Sequence, residues 1–194
     1  MPAIARESLL TLEAYAKQRA AFRASVIAHK RDRTVHLGEH VTLIFEDELT
    51  IRYQIQEMLR AERIFDEEGI VAELEAYNPL VPDGHNFKAT MMIEYEDVAE
   101  RQGQLKQLKG IEQRVWLQAE GCQRVWAIAD EDLERENEEK TAAVHFLRFE
   151  LTAAMVRALR NGSALAIGID HLQYAVAGTR QPDNVRASLV KDLA

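Results

Sequence analysis

The chain has 194 residues, 47% of them apolar and 29% charged, with 24 basic against 32 acidic side chains and a formal charge of −8. A chain of this length buries roughly 70% of the surface its unfolded form exposes, so it needs neither disulfides nor a structural metal to fold. The acidic balance argues against sequence-independent binding to a nucleic-acid backbone, and the single cysteine, Cys122, excludes an intramolecular disulfide, a zinc ribbon and a CxxC redox pair.

The first residues bring in Glu7 and Glu13 and contain no continuous apolar core, so they do not read as a secretory signal. No window reaches the roughly 18–20 apolar residues of a membrane span. The expectation is a soluble cytoplasmic protein. Ser8 reads as the cap of a first helix, whose apolar stripe takes in Leu12, Tyr15, Ala16, Phe22, Val26 and His29, broken by Arg19, and fades in the charged run Lys30–Arg33.

Val41, Leu43 and Phe45 alternate with polar neighbours, and so do Ile51, Tyr53 and Ile55 after the gap Asp47-Glu48, which predicts an antiparallel hairpin. From Ile55 the period changes, and Ile55, Met58, Leu59 and Glu62 share a helical face. A helix over Gly69–Tyr77 stops at Asn78-Pro79. Phe87 to Tyr95 alternate as a strand, and Asp97–Lys109 reads as a helix closed by Gly110.

Val115–Gln118 and Arg124–Ile128 form a second hairpin that sets Trp116 and Trp126 across from one another. After the acidic segment 130–139 come a strand over Ala143–Leu151, a helix capped by Thr152 and ended by Asn161-Gly162, and a last strand through Leu165, Ile167 and Ile169. Residues 175–194 read as a tail that could form a short amphipathic helix but that nothing obliges to pack. The fold expected is α+β: one domain over residues 1–174, with a mainly antiparallel sheet and helices packed mostly on one face.

The dinucleotide fingerprint, the phosphate loop, the serine elbow, HExxH and ExxH are all missing from the sequence. What remains are polar groups on apolar faces. His29, Glu62, His145 and His171 each fall on such a face, and a buried imidazole or carboxylate must find a partner. Together they would suit Zn, Fe or Mn, although structural pairing is the simpler account of each. Arg52, Arg63 and Arg148 could hold an anion; in the structural alternative Glu57 pairs with Arg60, and Glu62 with Arg52 or Arg148. The acidic segment could steer a basic partner or form a solvated face.

The runs Val26–Lys30, Phe45–Asp47, Arg52–Arg60, Ala76–Leu80, Leu133–Arg135 and Lys140–Leu151 resemble an uncharacterised bacterial family, domain of unknown function number three thousand five hundred and one. The resemblance covers residues 1 to about 174. It implies a gene neighbourhood of rubrerythrin and a cysteine-rich iron–sulfur protein resembling a heterodisulfide-reductase subunit, hence an oxidative-stress or electron-transfer setting. It assigns no catalytic residue. Three roles follow as expectations: an accessory partner of such a redox protein, a metal-dependent enzyme acting on a small anionic or peroxide substrate, or a homodimeric scaffold.

Overall fold

The computed structural model describes residues 3–129 and 140–194. The helix α1 (Leu12–Arg31) is capped by Thr11, whose Oγ1 accepts from Ala14 N. Ser8, expected as that cap, lies instead in a short 3₁₀ turn with its hydroxyl donating to Ala5 O. The hairpin that follows is β1 (Thr34–Leu37) against β2 (Val41–Glu46), with Val35 opposite Leu43.

The residues expected to form the return strand belong to a helix, α2 (Glu48–Glu62). Two local facts decide this. Asp47 and Thr50 form a reciprocal capping box, which satisfies backbone N–H groups that a strand would leave to a neighbour. Ile51, Ile55 and Leu59 then recur at i+4 and are all buried, so the period of two through Tyr53 is incidental. Next come α3 (Glu67–Tyr77), capped by Asp66, then β3 (Asn86–Ile93) and α4 (Val98–Gln107), capped by Asp97.

The strands β4 (Val115–Ala119) and β5 (Val125–Trp126) form the second hairpin, with Trp116 opposite Trp126. The chain then passes through the buried Ala127 into β6 (Ile128–Ala129). After the acidic segment, which lies outside the described residues, come β7 (Val144–Glu150), α5 (Ala153–Arg160), β8 (Leu165–His171), β9 (Tyr174–Arg180) and α6 (Asp183–Val190).

The fold is a single α+β domain whose strands pair antiparallel throughout, but they divide into two sheets. One has the order β1-β2-β3-β7-β6 and the other β5-β4-β8-β9. Phe45, Met91 and Phe149 of the first sheet and Leu117, Ile167 and Ile169 of the second join one apolar core. A smaller core joins Ile4 and Leu9 to Ile55, Leu59, Ile70 and Leu74 of α2 and α3.

The segment after Tyr174 is built into this frame. β9 pairs with β8, and Val185, Leu189 and Leu193 are buried in the main core. β8 is therefore not the last strand. Gly168 and Gly178 leave room for the Trp116 indole: a Cβ on either would stand 2.6 Å and 2.3 Å from ring carbons.

Candidate functional site

The helix α1 packs on α2 through polar as well as apolar groups. Arg19, the break in the α1 stripe, donates from Nε and Nη2 to the two carboxylate oxygens of Glu57, each at 2.7 Å. Tyr15 Oη donates to the same carboxylate at 2.7 Å. The Arg19 hydrogen bonds, outweighing partial burial, hold Glu57 down at about 2, with Tyr15 contributing. Burial and the neighbouring Glu57 push the Tyr15 hydroxyl up.

At the far end of α1, His29 Nε2 donates to Asp47 Oδ2 at 2.5 Å. His29 Nδ1 has no hydrogen-bond partner among the described residues. Behind this pair sits Arg33, 1% exposed. Its Nε donates to Phe45 O at 2.9 Å, Nη2 to Glu46 O at 3.0 Å and Nη1 to Ser188 O at 3.4 Å. Both terminal nitrogens reach the Asp192 carboxylate, and Asp47 Oδ2 lies 3.5 Å from Nη1.

Burial by itself would raise the Asp47 carboxyl, but the Arg33 charge, the Thr50 N–H and His29 hold it below its ordinary value. Burial pushes the Asp192 carboxyl up although Arg33 pulls the other way, and Asp47 adds to the rise. Arg33 thus ties α1, β2 and α6 together.

His29, His145 and His171, expected to form a metal set with Glu62, have separate partners, and Glu62 itself is exposed. His145 is fully buried on β7, where Nε2–H is shared by Thr141 Oγ1 at 2.9 Å and Ala142 O at 3.0 Å, with Glu112 Oε2 at 3.8 Å. His171 donates from Nε2 to Lys109 O at 3.1 Å and accepts at Nδ1 from Gln173 N at 3.2 Å, so both ring nitrogens are engaged. Glu62 is exposed near the end of α2, and its charge adds to burial in raising the Glu73 carboxyl. Among the described residues, no three His, Cys, Asp or Glu side chains gather where they could hold a metal ion.

The three arginines expected as an anion pocket also stand apart. Arg52 is held by Glu48 one turn earlier on α2 through Nε at 2.8 Å and through Nη2. Arg63 is the exposed left-handed cap of α2, at φ 57°. Arg148 lies on β7 and pairs with Glu150. Glu57 pairs with Arg19 instead of the expected Arg60, and among the described residues Glu62 forms no ion pair with Arg52 or Arg148.

Trp116, 3% exposed, is covered by the Arg124 guanidinium 3.8 Å from its ring centroid, and the more exposed Trp126 carries Arg114 at 5.1 Å. Each cation–π pair covers one face of its indole. Cys122 sits half-buried in the β4–β5 turn.

Two grooves flank α2. One, of about 410 Å³, is lined mainly by Leu9, Leu12, Leu59, Ile64, Phe65 and Ile70, with Arg6, Thr11 and Glu13 also on it, and Phe65 is 79% exposed. The other, of about 630 Å³, runs between α1 and α2 and is lined by Lys17, Ala21, Phe22 and Arg52. Leu10 borders both. Gln56 holds it in place, accepting from Leu10 N at 2.7 Å and donating to Leu10 O at 3.3 Å.

Local patterning gives Arg33, Asp47 and Asp192 no functional role, placing them in a charged run, a turn and a tail. The available signals were the strand period of Arg33, Val35 and Leu37, all buried, and the Asp47-x-x-Thr50 cap pattern. No local signal identifies Asp192 as the partner of a residue 159 positions earlier.

Such a site, without a gathered ligand set, sits in an α+β domain of two antiparallel sheets. The family model described as protein of unknown function (DUF3501) matches residues 3–193. The chain belongs to this family, and the match runs through β9 and α6, past the point where the resemblance fades. The crystal structure of a novel protein of unknown function from Burkholderia pseudomallei K96243 is 57% identical over the whole of both chains and superposes with a TM-score of 0.95. No curated protein matches. Among the described residues, no helix is long and apolar enough to cross a membrane.

Proposed function

We propose that this protein is a cytoplasmic accessory that docks on a redox protein, using the groove around Phe65 as its contact surface. The observation that carries this is the exposed Phe65 ring among Leu9, Leu12, Ile64 and Ile70, beside the Arg6–Glu67 ion pair at 3.0 Å. An apolar patch rimmed by charge is the usual form of a protein contact. Burying one such ring contributes roughly 1.5–3 kcal/mol.

The family resemblance supplies the partners to try: rubrerythrin and the heterodisulfide-reductase-like iron–sulfur protein. A chain with one cysteine cannot ligate an iron–sulfur cluster through four thiolates of its own, so electron transfer would be its partner's work. Size-exclusion chromatography of the purified chain with each purified partner tests the proposal. A complex that F65S weakens at least tenfold supports it, and independent elution from both partners contradicts it.

A second reading, a homodimeric scaffold, has one observation in its favour. β9 is an edge strand of the second sheet and its middle residues Ala177, Gly178 and Thr179 are exposed, a template for pairing with another strand. A dimer mass for the chain alone, abolished by T179P, would favour the scaffold over the docking role.

A further inference from the structure

We propose that the groove between α1 and α2 is a binding site for a small amphipathic monoanion, a carboxylate carrying an aliphatic or aromatic body. Its volume of about 630 Å³ falls within the range of roughly 300–1,000 Å³ typical of small-molecule sites. Leu10, Ala21 and Phe22 supply apolar lining beside the uncharged Ser8, Gln18, Ser25 and Gln56, and Phe22 is braced edge-on by Tyr15 and Tyr53, with ring centroids 6.2 Å and 5.7 Å away. Lys17 and Arg52 supply two cations, and among the described lining residues there is no carboxylate. In a chain of net charge −8 this is a local inversion of sign, which concentrates anions at the groove.

The charge of the ligand follows from the partners already present. Lys17 has no ion-pair partner among the described residues. Arg52 gives Nε and Nη2 to Glu48 and keeps Nη1 open. Lys17, Arg52 and Glu48 together sum to +1, which one carboxylate balances and a doubly charged phosphate would overshoot. Glu48 also fixes the guanidinium in place, so less side-chain freedom is lost on binding. This site shares Leu10 with the docking groove but no other lining residue, and the proposal does not depend on the docking role.

The probe is 1-anilinonaphthalene-8-sulfonate, an aromatic monoanion, titrated into the full chain and followed by its fluorescence. Octanoate and octanol serve as competitors, and K17E, R52Q and F65S as variants. Lys17 is exposed, so K17E tests charge without disturbing the core.

The proposal expects saturable binding of one probe per chain, displaced by octanoate at least tenfold more effectively than by octanol. K17E and R52Q should each weaken it at least tenfold, with F65S within twofold of wild type. It is overturned if K17E and R52Q bind as wild type does, or if octanol competes as well as octanoate. Loss of binding in F65S would also overturn it, because the probe would then sit in the other groove. So would K17E-sensitive binding to phosphatidylglycerol vesicles with no octanoate displacement, which would make the groove a membrane-surface contact.

Discussion

Replacing Arg33 by methionine removes a buried group that joins the end of α1 to β2 and α6. The guanidinium is 1% exposed, donates to the carbonyls of Phe45, Glu46 and Ser188, and pairs with the buried Asp192. Methionine keeps much of the volume but strands a buried carboxylate and three carbonyl oxygens. Breaking a buried pair from one side costs about 3–5 kcal/mol. For a chain of this size, where 1 kcal/mol moves the midpoint by about 2–4 °C, this corresponds to a fall in Tm of about 6–20 °C.

D192N should cost less, about 1–3 kcal/mol, because the amide still accepts from Arg33 and the Asp47 carboxylate remains near Nη1. Urea denaturation of R33M, D192N and R33M/D192N closes the cycle, and a coupling above about 1 kcal/mol is expected between groups in direct contact. If R33M costs less than about 1 kcal/mol, or the two changes add without coupling, the assignment of Arg33 as the tie is wrong.

A chain ended after Tyr174 loses most of β9 and the buried Val185, Leu189 and Leu193, and should be insoluble or lack a cooperative thermal transition, seen by circular dichroism. G178A should cost about 1–3 kcal/mol, since the new methyl would stand 2.3 Å from the Trp116 ring, and should shift intrinsic tryptophan fluorescence; an unchanged urea midpoint would contradict the packing. Glu57 is held at about 2 against an ordinary 4.5, so its contribution to stability is complete above about pH 4.5 and is lost as pH falls towards 2. The stability gap between wild type and E57Q, measured by urea titration at each pH, should therefore be constant from pH 7 to 5 and shrink from pH 4.5 to 2.5.

Where one period alone fits a segment, the sequence reading and the structure coincide. Phe87 to Ile93 alternate as β3, Gly110 follows α4 at φ 81°, Thr152 caps α5, and Trp116 faces Trp126. Where two periods fit, local chemistry decides: Ile51, Tyr53 and Ile55 suit a strand as well as a helix until Asp47 and Thr50 are recognised as a capping box. β9 carries no strand signal in the sequence because Ala175, Ala177, Gly178 and Thr179 offer no large alternating side chains.

The division into two sheets rests on the passage through Ala127 between two strands of two residues each, too short to carry a pattern. The site was less legible than the fold. His29 does sit at a polar centre, but its partner is Asp47, and Arg33 and Asp192 meet only through the tertiary fold. Glu62, His145 and His171 lie on inward stripes by period, yet Glu62 is exposed and the two histidines are each bonded to their own neighbours.

The docking account is tested most directly by amide hydrogen exchange on the chain alone and mixed with purified rubrerythrin or the iron–sulfur protein. It predicts slowed exchange in residues 9–13 and 63–70 on adding one of the partners, and none in the F65S chain. Protection confined to β9, or no change with either partner, would contradict it.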